Sequence, residues 1–505
     1  MAEDHKLSLA DAVKTAIAHD AQLYIAREDT RIAGDGIDLA RAPFRPKLFG
    51  EIYGVRDERP PTARTFALRD DIVAGDVGLS GLLPTGMTYT LSAGLMRERI
   101  ESSFVSVYDP ARTVTGSVEL VQPLLRGAFG AARRPIVVAT LRKNQSEHEL
   151  RAQLEVTVGN VEIAYWNLVR ARAERDARKA ALSIANEQVE ESKRLRKVGT
   201  GSDLDIVEAE TGVSRRQQEL LVTEQDVVDA EGQLMTRLGV RAGEPGWIGA
   251  NAIIPTDKPQ LDARTLELEA QLQLARTRRA EVLAARERTA AEQAELDVRD
   301  DQRSMALDVV LQAATVGFAG RLADSNLTAG VNGGGLSPPY FTDPDYDGKL
   351  NRAVENTLGK DLRFYLGLRF EILLGNDEAD VRHTVQRRTV ARSRLAERQT
   401  LAQVETEVRT TVAQAALGAR KVEASDKTVG LAEKFLEGMR KRFRAGAATT
   451  FDVLRVSEEL TRARVESARV RADYRITLTR LGVVTGTLLD VHEISTKSLG
   501  ATPRP

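Results

Sequence analysis

The most orderly polar residues of this chain surround two short breaks. One reads Val198-Gly199-Thr200-Gly201-Ser202-Asp203-Leu204-Asp205-Ile206, the other Ala445-Gly446-Ala447-Ala448-Thr449-Thr450-Phe451-Asp452-Val453. In each, a glycine suited to a helix C-cap precedes a hydroxyl residue, Ser202 or Thr449, able to cap the next helix. An acid, Asp205 or Asp452, follows the glycine by six positions; Glu208 lies one turn beyond Asp205, where the second segment has Arg455. Acids in a first helical turn favour the helix dipole. The other chemistry open to them is electrostatic, since grouped carboxylates attract cations and repel one another. Bond-making chemistry finds no support. There is no G-x-S-x-G elbow, phosphate loop or dinucleotide glycine signature, and the five histidines (5, 19, 148, 383, 492) lack metal-ligand spacing. Asp343-Pro344-Asp345-Tyr346-Asp347-Gly348 starts like a calcium loop, but Val354 holds its twelfth position and Glu355 comes one place late. A solvated acidic loop is the better reading, and no cofactor, metal site or catalytic residue is expected.

Composition narrows the class of molecule that holds these breaks. Charged residues are 29% and hydrophobic ones 42%, yet aromatics are only 5%, as in long helices packed through small side chains. A net charge of −1 leaves no footprint for nucleic acid. With no cysteine, disulfides, thiolate metal sites and cysteine-linked lipid are excluded. No apolar run reaches the roughly 18–20 residues of a spanning helix. The N-terminus MAEDHKLSLADA has neither basic nor apolar signal-peptide regions. A cytoplasmic protein and a mature exported one both fit.

The chain is written twice. Ala26-Arg27-Glu28-Asp29-Thr30 recurs as Ala285-Arg286-Glu287-Arg288-Thr289, the two breaks match, and Arg237-Leu238-Gly239-Val240 recurs as Arg480-Leu481-Gly482-Val483. The expected organisation is a first repeat over 1–240, a linker over 241–257, a second repeat over 258–483 and a tail over 484–505. Each repeat opens with an amphipathic helix (8–42; 260–300) and continues with a β-rich segment (46–123; 304–374). A very long helix follows (128–197; 376–443), then the break and a closing helix (203–238; 450–482). Seventy helical residues span about 105 Å, which no compact core needs. The closing helices carry heptads, Ile206, Val213, Leu220, Val227 and Leu234 in one, Val453, Leu460, Ser467, Tyr474 and Leu481 in the other.

The β-rich segments alternate with period two. Leu362, Phe364, Leu366, Leu368, Phe370 and Ile372 interleave with Arg363, Tyr365, Gly367, Arg369 and Glu371. Similar segments run over 88–95, 113–120 and from Met305 to Leu311. Ten-residue segments of this kind suit an outer-membrane barrel and equally a sheet on a soluble core. Coupled to helices of about 100 Å, the barrel is the better reading.

This arrangement resembles the TolC family of outer-membrane efflux and secretion ducts over nearly the whole chain. Leu7-Ser8-Leu9-Ala10-Asp11-Ala12-Val13 is similar to the family's opening helix. Leu120-Val121-Gln122-Pro123-Leu124-Leu125-Arg126-Gly127 and Glu371-Ile372-Leu373-Leu374-Gly375-Asn376 resemble its strand-to-helix junctions, with Leu373 where proline is common. The resemblance implies a mostly α fold with a β-barrel portion: a tandem-duplicated protomer, homotrimeric, its strands joining one barrel in outer-membrane lipid and its long helices an α-barrel across the periplasm. It implies a passive conduit of a tripartite efflux pump or a type I secretion system, partnered by a periplasmic adaptor and an inner-membrane transporter. The hairpin tips (Gly199, Thr200, Gly201, Ser202, Leu204; Gly446, Ala447, Ala448, Thr449, Phe451) would dock the adaptor. Asp205, Asp452 and Glu208 would ring a periplasmic gate. Ala448 replaces an arginine that bridges neighbouring hairpins in some members, so a gate latched by that ion pair is not expected. An extra hairpin around Leu83-Pro84-Thr85-Gly86 leaves the strand count open, and a long loop occupies about 319–360. The alternative is a soluble coiled-coil scaffold without transport activity.

Overall fold

The computed structural model describes residues 5–58, 67–102, 108–199, 201–240, 252–262, 266–322, 349–357, 362–372, 375, 377–445 and 447–494. Thr200, Gly446, the acidic segment 343–348, Leu373, Leu374 and Asn376 lie outside them, as do most of the linker and half of the tail. The chain divides into two compact units, 1–33 with 143–289 and 393–505, and 34–142 with 290–392, so both sequence repeats contribute to both. No described helix is long and apolar enough to cross a membrane.

In the first unit, β1 (His5–Leu7) pairs in parallel with β6 (Ile253–Pro255). Helices α1 (Leu9–His19) and α2 (Ala21–Arg41) follow β1. The sequence predicts one helix over 8–42, but Asp20 is extended and its carboxylate accepts the Gln22 N–H at 2.7 Å and the Thr157 hydroxyl at 2.6 Å. One acid thereby ends α1 and starts α2. The second repeat breaks at the corresponding place. Arg279 is extended between α5 (Leu268–Arg278) and α6 (Ala280–Arg303), and its guanidinium donates to Val483 O. The recurring threonine has the same use in both repeats. Thr30 Oγ1 lies 3.2 Å from Ser146 Oγ and Thr289 Oγ1 lies 3.1 Å from Ser393 Oγ.

The long helices are α3 (Arg134–Lys197) and, after the short α7 (Leu350–Thr357), α8 (Asp377–Arg444). The closing helices are α4 (Asp203–Leu238) and α9 (Thr450–Thr485), and α10 (Leu488–Val491) is the last described helix. Within the first unit Tyr165, Trp166, Leu154, Leu168, Leu23, Leu234, Leu238 and Ile253 form the largest buried cluster, each large side chain stabilising by about 1.5–3 kcal/mol. Tyr165 ties the cluster to the small sheet, its hydroxyl 2.6 Å from Asp257 Oδ2 and accepting the Thr256 N–H at 3.1 Å. The heptad column of α9 is buried throughout. In α4 the other column of the seam is Ala209, Arg216, Thr223 and Ala230, all buried.

The second unit is built on one antiparallel sheet. β2 (Lys47–Glu58), β3 (Ala67–Leu82), β4 (Thr88–Ser102), β5 (Tyr108–Pro123), β7 (Ala306–Leu322) and β8 (Leu362–Glu371) pair in the order β2-β3-β4-β5-β7-β8. The hairpin at Leu83–Gly86 therefore contributes two full strands. One face is apolar: Leu48 and Ile52, Val73, Val77 and Leu79, Leu91 and Leu95, Val114 and Val118, Val309 and Leu311, then alternate residues of β8. Phe364, Leu366, Leu368 and Phe370 on this face are each more than 70% exposed. The opposite face carries polar pairs, Ser92 with Ser117 at 2.7 Å and Gln312 donating to Glu119 at 3.1 Å. Beyond the apolar band the first face turns charged, with Arg56 opposite Asp71, Asp71 opposite Arg99, and Arg97 opposite Arg112. There α7 covers β7, with Ala353 over Gly317 and Asn356 donating to Phe318 O at 3.1 Å.

Candidate functional site at the helical hairpin tips

The two breaks are the turns joining α3 to α4 and α8 to α9. Gly199 ends α3 with φ +83°, a left-handed conformation that costs glycine little. Gly201 N–H then donates to Leu195 O at 3.1 Å, satisfying a helix-end carbonyl. Arg196 closes the turn, its Nε 2.8 Å from Asp203 Oδ1 and its Nη2 3.1 Å from Oδ2. In the second turn the Ala447 N–H donates to Arg442 O at 2.9 Å.

Both acids complete capping boxes. Ser202 Oγ accepts the Asp205 N–H at 3.2 Å, while Asp205 Oδ2 accepts the Ser202 N–H at 2.8 Å. Thr449 and Asp452 repeat this at 3.2 and 3.0 Å. Such reciprocal bonds satisfy two helix-end donors at once. Hydrogen bonds from the capping residue's N–H and hydroxyl hold each aspartate below the usual carboxylate range, with Arg455 and Arg442 adding to the effect at Asp452. Asp203 is also held low, by its bond to Arg196 and that residue's charge.

The tips expose apolar side chains, Val198 (76%), Leu204 (75%), Val207 (57%) and Phe451 (57%). Ala448 packs instead against the cluster of Leu436, Met439, Val453, Val456 and Leu460. Glu208 is half-buried and Arg455 exposed. The turns are held to each other by Ser192 Oγ near Thr450 Oγ1 at 3.5 Å and, further along, by the buried Arg216 donating to Leu454 O at 3.1 Å. Sequence reasoning missed the Arg196–Asp203 clamp, although opposite charges flanking a helix break were a visible signal. It also missed Arg216, because a lone arginine among surface charges has no distinguishing pattern.

Residues 81–240, from the β3–β4 turn to the end of α4, match the outer membrane efflux protein family. The fold matches that of the outer membrane protein VceC of Vibrio cholerae (TM-score 0.61, 17% identity, 95% of this chain and 96% of that one). It also matches the open-state MtrE channel of Neisseria gonorrhoeae (0.60, 13%, 95% and 89%) and the CmeC channel of Campylobacter jejuni (0.59, 13%, 95% and 86%). The chain has the fold of these outer-membrane channels. A comparison with curated protein sequences finds no match. The family match spans strands and long helices together, and the soluble-scaffold alternative has no support. Members of this family are passive channels.

Proposed function

We propose that three copies of this TolC-like chain form a passive conduit, an α-barrel in the periplasm continued by a β-barrel in the outer membrane, serving a tripartite efflux pump or a type I secretion system. The sheet supports this reading most directly, because it presents a continuous apolar face and, among the described residues, leaves both its edges unpaired. Open edges are not tolerated in lipid, so a spanning sheet must close, here with other copies. The exposed Leu204, Val207 and Phe451 beside the capped turns, with Gly199, Gly201, Ser202, Ala447, Ala448 and Thr449, form the surface for a periplasmic adaptor. An inner-membrane transporter drives export. Around a threefold axis Asp205 and Asp452 supply six ionised carboxylates, with Glu208 beside them, as a cation-attracting gate. The capping bonds occupy one oxygen of each aspartate and keep the charge present.

Single-particle imaging of the detergent-extracted protein tests this. A threefold tube with both tips of each protomer at its narrow end supports the conduit. A monomer that stays soluble without detergent overturns it.

A further inference from the structure

The sheet's register carries information that the threefold reading does not use. Of its six strands, β3 and β4 form a hairpin inserted between β2 and β5, and both pair along nearly their whole length. The hairpin's turn, Leu83–Gly86, lies at the helix end of the sheet, where Phe129 N–H donates to Thr85 O at 2.8 Å. β3 and β4 thus run the same span as the strands joined to helices. We propose that the membrane barrel of this channel has eighteen strands, six from each protomer, closed by three seams between β2 of one copy and β8 of the next. This rests on the trimeric conduit proposed above.

Direction, face and slope all fit that seam. β2 leaves the helical side and β8 returns to it, so neighbouring copies present antiparallel edges. Even-numbered residues face the apolar side in both strands, so the seam admits only registers that keep even opposite even. Slope follows from one row of partners, Lys47, Ser80, Thr90, Glu119, Gln312 and Tyr365. From the helix-side end of its strand, Lys47 stands at the first residue. Ser80 and Thr90 are two residues in, Glu119 four, and Gln312 and Tyr365 six.

The row therefore climbs about six residues across five strand steps. Continuing that climb over the sixth step gives a seam offset of six or eight residues per protomer. With about 3.3 Å per residue and about 4.8 Å between strands, an offset of six tilts the strands by about 35° and eight by about 43°. Both agree with the roughly 35–45° of closed barrels, whereas an offset of four gives about 25°. An offset of six sets Ile52 opposite Leu366 of the next copy, and an offset of eight sets it opposite Leu368. All three side chains are exposed on the apolar face of the lone protomer. Without β3 and β4, the same trimer would close twelve strands at about two-thirds of the diameter.

The test uses the full chain, which has no cysteine of its own. The double variants I52C/L366C and I52C/L368C are oxidised in outer membranes and run on denaturing gels, beside the three single variants. Either double variant should give protomers linked into dimers and trimers that reductant releases, with no ladder from any single variant. Imaging of the unmodified trimer should count eighteen strands. A trimer with twelve strands and no ladder from either double variant overturns this inference and leaves the conduit standing. Absence of any trimer removes both.

Discussion

Glu155 offers a sharp test of the packing in the helical unit. It lies on α3 with 1% of its surface exposed, its Oε1 3.2 Å from Arg151 Nε, in the field of Arg279 and Glu281. Burial pushes its carboxyl up from 4.5 to about 7, outweighing the opposite pull of Arg151. A raised carboxyl pKa means that the fold favours the protonated form. The stability it contributes is complete below about pH 4.5 and is lost as pH rises through about 7. A shift of about 2.5 units corresponds to about 3 kcal/mol at about 1.4 kcal/mol per unit. Glu155→Gln keeps the shape of the protonated form and removes the titration. At pH 8 the variant should be more stable than the parent by up to about 3 kcal/mol, a difference that vanishes near pH 4.5. For 505 residues at about 2.1 cal/mol/K each, that is a rise of about 3 °C in Tm. Circular dichroism melts of both proteins between pH 4.5 and 8.5 read the difference, in which all other titrating groups cancel. A pH-independent difference, or a parent that gains on the variant as pH rises, would show that the Arg151 ion pair outweighs burial and refute the reasoning.

Other perturbations separate the roles assigned to the tips. Leu204→Asp and Phe451→Asp alter exposed side chains, so stability should stay within about 0.5 kcal/mol; adaptor co-purifying from native membranes should fall at least tenfold, and unchanged recovery would remove the docking role. Asp205→Asn with Asp452→Asn leaves the Ser202 and Thr449 caps in place, and an amide oxygen still accepts the capping residue's N–H. Reversal potentials in planar bilayers should show reduced cation preference in that double variant, and an unaltered selectivity would exclude the gate. At Gly199 a Cβ meets no atom within 4 Å, so Gly199→Ala costs only the left-handed backbone, about 1–2 kcal/mol. Amide exchange should quicken around Val198 and Gly201 while the buried cluster near Trp166 keeps its protection; no quickening would mean that the turn tolerates a side chain.

What could be read in the sequence was whatever a period or a short motif records. Both caps and the alternation of β8 stand in single stretches of chain, and the structure uses them as their residue types require. The helix breaks at Asp20 and Arg279 were hidden because neither residue is a breaker. Each is extended because a distant element, Thr157 for one and Val483 O for the other, bonds its side chain. The repeated Arg-Leu-Gly-Val misled more directly. Gly239 is the left-handed cap of α4, but Gly482 lies inside α9, which runs on to Gly486. A Cβ at Gly482 would stand 3.2 Å from Leu488, so packing of the following turn is a local reason for glycine there.

The heptad columns show how far such patterns reach. In α4 one column is apolar and legible, while its partner reads Ala, Arg, Thr, Ala and looks like surface. Arg216 nevertheless sits buried in that column, and burial lowers its pKa despite the nearby Glu458. It spans the seam to bond Leu454 O on α9. A methionine there would fill the space without the backbone bond, leaving the two closing helices freer to slide. A seam that fixes register through one buried polar side chain gives up some stability for a defined alignment. In the proposed conduit, whose gate carboxylates would lie on these same helices, that alignment would decide whether Asp205 and Asp452 reach the axis at one level.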